Sequence, residues 1–327
     1  MKISIIIVSY NCGGLLLKQC VESCILNLRN LNCSYDKEII IGDDGSNDDS
    51  LSAIKELTQK YPKIVQYFVM DRNIKGKFVP SSRVSALLKK AFSISKGDYI
   101  QVLSADDLII NQDKIKRSIT FLDNNKNYAS CHSDFVMFWD DKTVEYPVSN
   151  GHDFSRGVLW SNSYKHISCY VFRRSVFENL LDTFCDDSGL ILSCFLTGKT
   201  KYLRGEISFA YRQRPKSIMH TSNKVSNYAL DVLIIEEIIN KKNKLYYASK
   251  ARLFIPLRYL FLNRKLLKEE ENTIFVNSEL DNGLLTFLNR YDEQFILTKV
   301  KFHILLINCF ICKIIYKLFY LVQKAMR

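Results

Sequence analysis

The chain has 327 residues, 47% of them hydrophobic and 24% charged, and a formal net charge of +12. That length suits one large domain with an appendage, and no internal repeat or low-complexity linker interrupts it. The positive charge is interleaved with long apolar runs and comes with no nucleic-acid motif, so a nucleic-acid partner is not expected. The ten cysteines are scattered without a spacing framework. This argues against a disulfide scaffold and for buried, reduced thiols in a cytosolic protein.

Residues 3–8 form a β-branched run that stops at Ser9, Tyr10 and Asn11, with Gly13 and Gly14 following. A helix-like span covers 15–28. A second apolar run, 38–41, stops at Gly42, Asp43, Asp44, Gly45 and Ser46, and a second helix-like span covers 50–60. Residues 86–92 carry Lys89 and Lys90 on what reads as the solvated face of a helix. A third buried strand, Tyr99 to Leu103, ends in Asp106 and Asp107. Strands and helices alternating at this spacing argue for a parallel sheet with crossover helices.

In such a sheet all carboxyl ends lie along one edge, where ligands bind. Carboxylates at that edge are hard oxygen ligands, suited to Mg²⁺ or Mn²⁺ holding a diphosphate. Two plainer roles compete. Asp106 or Asp107 can cap a helix, and Asp43 and Asp44 can form an Asx turn that caps the next one. Asp48 and Asp49 sit nearer that helix start and are better caps, which leaves Asp43 and Asp44 for ligand work. Ser9, Tyr10, Asp44 and Asp106 share the strand-end position and are expected to build the nucleotide site.

Three segments together resemble the family 2 glycosyltransferases of the GT-A fold: residues 5–11, residues 39–46 with Asp43 and Asp44, and residues 97–107 ending Leu-Ser-Ala-Asp-Asp. A fourth segment, 184–190, resembles the family's acidic pair before an acceptor-side helix, and Tyr211 and Arg212 resemble its later Tyr-Arg element. The resemblance covers roughly residues 1–222. It implies a Rossmann-like nucleotide-sugar domain with a mostly parallel central sheet. It also implies that Asp44 meets the nucleobase, Asp106 binds Mn²⁺ or Mg²⁺, and Asp187 is the general base of an inverting transfer.

Two positions depart from the family pattern. Ser104 stands where the family's Asp-X-Asp motif has its first aspartate. Its hydroxyl can still hydrogen-bond a ribose, and Ala105 beside it borders the nucleotide. The Arg-Asn pair common in the helix before the third strand is also missing, which leaves Arg83, Lys89 or neither as a diphosphate contact. Arg212, Arg214 and His220 follow the core and could reach the diphosphate or the metal.

Residues 221–327 carry 17 basic and 10 acidic side chains, with no acid after Glu293. Lys313, Lys317, Tyr320 and Lys324 fall on one stripe of an apolar helix, which reads as lying in an anionic membrane interface. A core helix packed on the catalytic domain and a single membrane pass are the alternatives. Cys309 and Cys312 form an isolated CxxC inside this apolar segment, and neither zinc nor redox use is expected of it. The six-residue apolar run at the N-terminus is short for a signal peptide.

The expected organisation is therefore a catalytic domain over 1–222 and a helical, basic and apolar region over 223–327. The expected protein is a metal-dependent transferase at the cytoplasmic face of the cell membrane. It would move a sugar from a nucleoside-diphosphate donor, UDP foremost, to a saccharide or lipid-linked acceptor of a bacterial surface polysaccharide. The rival reading is an inactive relative that only binds a nucleotide sugar or a partner.

Overall fold

The computed structural model describes residues 2–32, 34–72, 80–140, 142–148, 166–178 and 197–214, with positions 190, 193 and 194. All of them lie in the first of two compact units, Met1–Lys75 with Val79–Ser222. The stretch 223–327, with its lysine stripe and its CxxC, lies outside the described residues.

The first strand, β1 (Lys2–Ser9), is central to the sheet. Parallel partners flank it on both sides: β2 (Asp36–Asp43) and β4 (Tyr99–Ser104). Burial on both faces explains why its sequence is a continuous apolar run rather than an alternation. Ile3, Ile5, Ile6 and Ile7 are fully buried, each worth about 1.5–3 kcal/mol relative to exposure. The first helix, α1 (Gly14–Arg29), buries Leu17, Cys20, Val21, Cys24, Ile25 and Leu28, a stripe at helical spacing. The second, α2 (Ser50–Lys60), buries Ala53, Ile54 and Leu57. It leads to an edge strand, β3 (Val65–Val69), parallel to β2. Helix α3 (Pro80–Ile94) then crosses back to β4.

The order β3-β2-β1-β4 reverses direction between β1 and β4. That is a topological switch point, where the loops after the two strands part and leave a crevice. The strand ends are level: Ser9 pairs with Asp43, Val8 with Ser104, and Asp43 with Val69. At the opposite edge Gly97 donates its N–H to Ser4 Oγ at 2.8 Å, and a Cβ there would lie 2.5 Å from the Ser4 nitrogen. Only glycine lets the chain enter β4 this close to β1.

Beyond β4 the sheet becomes mixed. A two-residue strand, β5 (Leu108–Ile109), precedes helix α4 (Lys114–Asn124) and the long β6 (Tyr128–Trp139), with β7 (Lys142–Val148) paired to β6. Strand β8 (Tyr170–Arg173) lies antiparallel between β4 and β6. Helix α5 (Arg174–Glu178) follows it. The last strand, β9 (Lys199–Arg212), is parallel to β6 and antiparallel to β5, with Leu108 opposite Ala210. That short pairing returns the end of β9 to the turn that follows β4.

Cys12, Cys20, Cys24, Cys131, Cys169 and Cys194 are free and buried, as expected. Burial pushes the Cys131 and Cys194 thiols up to about 12, so they behave as small apolar core residues.

Candidate active site

The turn after β2 is built by Asp43. Its Oδ1 accepts the Ser46 N–H and its Oδ2 accepts the Ser46 hydroxyl, both at 2.7 Å. This is the Asx-type turn weighed from the sequence. Gly45 sits inside it with φ +71, and a Cβ there would lie 2.9 Å from the Met70 carbonyl. The Ser46 hydroxyl oxygen also accepts the Asn11 N–H at 2.9 Å, and Asn11 Oδ1 accepts the Asn47 N–H at 2.9 Å. The loops after β1 and β2 are thereby tied into one unit.

Asp48 and Asp49 do cap a helix, but not mainly the one expected. Asp48 Oδ2 accepts the Gly13 N–H at 3.0 Å and Asp49 Oδ1 accepts the Gly14 N–H at 2.8 Å, so both serve the start of α1. Neighbouring parallel strands place the loop after β2 beside that helix end, and carboxylates are favoured there. Burial works against the charge on Asp48, but hydrogen bonds from Ser50 and Gly13 prevail and hold it below the usual carboxylate range.

Asp44 has a different neighbourhood. Arg72 donates to its Oδ2 through Nε at 2.9 Å and also through Nη2. Arg83 donates to its Oδ1 through Nε at 2.7 Å. The Arg72 guanidinium also lies 3.5 Å from the centre of the Tyr10 ring, a side chain 45% exposed. An aromatic face, a carboxylate and two guanidinium groups thus converge beyond β1, β2 and β3. Such a set can stack a planar base and accept its N–H.

Arg83, weighed between the diphosphate and no contact, has Asp44 and the Asp71 carbonyl among its partners. Arg72 was not anticipated at all. Its signal was position: it lies three residues beyond the end of β3, on the same edge as Ser9 and Asp43.

On the other side of the switch point, Ala105 continues the ladder by donating its N–H to the Val8 carbonyl at 2.9 Å. Ser104 closes β4, and its carbonyl accepts the Asp107 N–H at 3.1 Å. Neither Asp106 nor Asp107 caps a helix, because β5 follows and α4 begins at Lys114. Asp107 is fully buried and its Oδ1 accepts the Arg212 N–H at 3.1 Å. Asp106 is partly exposed and its Oδ2 accepts Arg214 Nη1 at 3.1 Å.

Arg212 is a clamp on this turn. Its Nε donates to the Asp106 carbonyl at 2.8 Å, its Nη2 to Gln19 Oε1 at 2.9 Å, and its Nη1 to Asp140. The guanidinium also packs 4.7 Å from the centre of the Phe138 ring. The expectation that Arg212 reaches a diphosphate thus meets a buried side chain whose donors already serve the protein. Arg214 is the more exposed cation at this edge.

Asp187, its neighbour Asp186 and His220 lie outside the described residues. Leu190, Ser193, Cys194 and Thr197 of the segment after Asp187 are helical.

Among the described residues no group of three or more His, Cys, Asp or Glu gathers in metal-binding geometry. A hard cation nonetheless suits the edge beside Asp106. Mg²⁺ keeps several waters and is commonly held by one or two carboxylates plus substrate phosphates. Asp106 offers one carboxylate at a strand end, which fits an ion completed by a donor's diphosphate.

An α/β sheet that is parallel from β3 to β4 and mixed beyond, with a charged, partly aromatic crevice at its switch point, is the architecture of the GT-A fold. Residues 4–181 match the profile of glycosyl transferase family 2, and the chain belongs to that family. A Haemophilus influenzae protein described as an uncharacterized glycosyltransferase is 26% identical over 261 residues, 75% of this chain and 92% of that protein. The minor teichoic acid biosynthesis protein GgaB of Bacillus subtilis is 25% identical over 92% of this chain, which spans only 34% of GgaB. A Mycobacterium bovis relative is likewise spanned over 46% of its length.

Among solved structures, residues 1–349 of S. aureus TarS in complex with UDP-GlcNAc superpose with a TM-score of 0.60 at 16% identity, covering 88% of this chain and 80% of that one. The mannosyltransferase PcManGT from Pyrobaculum calidifontis, in complex with GDP-Man and Mn²⁺, gives 0.52 at 13% identity, covering 91% and 81%. Both establish the shared GT-A fold.

Proposed function

We propose that this glycosyltransferase moves a sugar from a nucleoside-diphosphate donor, UDP foremost, to a saccharide acceptor on a lipid carrier, with inversion at the sugar carbon. The observation that carries the reading is the convergence of Tyr10, Asp44, Arg72, Arg83 and Asp106 on one carboxyl edge, at the switch point. The UDP-GlcNAc bound to TarS and the part of GgaB in minor teichoic acid biosynthesis support a UDP-sugar and a surface polysaccharide.

In this reading Tyr10 stacks the base and Asp44 accepts its N–H. Asp106 would hold Mn²⁺ or Mg²⁺, which supplies countercharge to the departing diphosphate. Asp187 takes the proton from the acceptor hydroxyl as that oxygen bonds to the sugar carbon and the bond to the diphosphate breaks. Residues 223–327 hold the enzyme to the anionic cytoplasmic face of the membrane through lysines beside apolar side chains. The rival, a binding protein without turnover, draws on Ser104 in place of a carboxylate.

Calorimetry with UDP, GDP and their sugars, with and without Mn²⁺, tests the site. Asp44→Ala is expected to weaken nucleotide binding at least about tenfold, the scale of one charge-assisted hydrogen bond. Asp106→Ala is expected to remove the dependence on Mn²⁺. Parent-like binding by both variants would place the site elsewhere. Asp187→Asn should bind donor normally and lose at least ~100-fold in turnover, the lower end for a general base. A dead Asp186→Asn beside an active Asp187→Asn would move the base by one residue.

A further inference from the structure

Two arginines meet the turn that carries Asp106, and they differ in freedom. Arg212 is 4% exposed and its guanidinium bonds to Asp106 O, Gln19 and Asp140. The Arg214 side chain is 30% exposed, and among the described residues its partner is Asp106 Oδ2, at 3.1 Å. That oxygen belongs to the carboxylate a divalent cation would take. Arg214 and a metal ion are thus two cations competing for one carboxylate. A partly exposed ion pair holds weakly and can be exchanged. A diphosphate is the natural competitor for Arg214, because guanidinium groups bind phosphate oxygens in a bidentate fork.

We propose that Arg214 gates the cation site: it covers Asp106 in the empty enzyme and leaves for the donor's diphosphate, so that cation and diphosphate enter together. The inference rests on the donor-site reading above and adds an order of events to it. With Arg214 on Asp106, a cation alone meets a carboxylate already neutralised and a neighbouring positive charge. With a diphosphate present, Arg214 moves to the phosphates and Asp106 is released. Linkage then requires that cation and diphosphate raise each other's affinity by the same factor. Part of that factor is chelation by the nucleotide itself, and the remainder belongs to Arg214. A single carboxylate serves here without a second one at position 104, because the metal is asked to bind only alongside a dianionic partner.

The test is Mn²⁺ binding by electron paramagnetic resonance and UDP binding by calorimetry, on the full chain and two variants. Arg214→Gln should bind Mn²⁺ alone at least about fivefold more tightly than the parent, the lower end of measured coupling factors. It should bind UDP alone more weakly by a similar factor. Arg214→Lys keeps the charge and should leave Mn²⁺ binding near the parent value, which separates charge from folding. If Arg214→Gln binds Mn²⁺ alone within twofold of the parent while UDP with Mn²⁺ still binds, the gate is overturned and the donor site stands. If the parent binds neither UDP nor Mn²⁺ together with it, the donor site itself falls, and the gate with it.

Discussion

The two sides of the crevice solve the same electrostatic problem in different ways. Beyond β2, Asp44 is buried, with 3% of its side chain exposed, and faces Arg83 at 9% and Arg72 at 30%. Beyond β4, Asp106 is 21% exposed and faces Arg214 at 30%. Burial strengthens an ion pair and raises the cost of breaking it, so the first cluster is part of the fold. Solvent weakens the second, so it is free to exchange partners. In the proposed donor site, the carboxylate assigned to a fixed shape sits in the first setting, and the one assigned to an exchangeable ion sits in the second.

The largest effect expected from this contrast is on stability. Asp44→Ala removes the buried carboxylate that Arg83 and Arg72 share. Removing one member of a buried pair costs about 3–5 kcal/mol, and urea unfolding of the variant should fall within that range. A loss below about 1 kcal/mol, the scale of a surface pair, would remove the distinction between the two sides.

A buried lysine sharpens the comparison because, among the described residues, it has no carboxylate partner. Lys114, at the start of α4, is 2% exposed, and its Nζ donates to the Ser168 carbonyl at 2.5 Å. Burial pushes it down to about 8 from 10.5. Between those values the unfolded chain binds a proton that the folded chain lacks, so stability should rise with pH across this window. The ceiling is about 3 kcal/mol, from about 1.4 kcal/mol per pH unit. Unfolding at pH 8 and pH 10 should show this rise in the parent and a smaller one in Lys114→Met. Equal slopes would mean that the lysine is charged in the fold.

The contrast also explains what the sequence disclosed. Strands β1, β2 and β4 and helices α1 and α2 were legible within two residues of their ends. Their apolar runs are continuous, and each stops at a turn residue. Strand β3 is a short, half-exposed edge, Val-Gln-Tyr-Phe-Val, with no such contrast. With β3 unread, nothing placed Arg72 beside Asp44. The division of labour between Asp43 and Asp44 was written in Ser46, three residues beyond Asp43, which supplies both donors for an Asx-type turn. The clamp by Arg212 was not legible, because it depends on β9 pairing with β5 across about a hundred residues. No periodicity reports a contact that distant. Asp187 and His220 were placed by resemblance alone.

The smallest effect falls at Asp106, and its neighbour makes it informative. Removing the Asp106 side chain breaks one partly exposed pair, worth about 0–1 kcal/mol. It leaves the turn intact, because Arg212 holds the Asp106 carbonyl rather than its carboxylate. Asp107 is fully buried, and its carboxylate anchors the Arg212 backbone. Truncating it strands a buried N–H, at a cost of about 1–3 kcal/mol. Adjacent aspartates should therefore divide: Asp106→Ala folds like the parent and loses the Mn²⁺ effect, whereas Asp107→Ala is the less stable protein. Thermal unfolding of the two variants, each with and without UDP and Mn²⁺, reads both quantities. If Asp106→Ala is the more destabilised, Asp106 belongs to the framework of the turn, and the exchangeable side of the crevice does not exist.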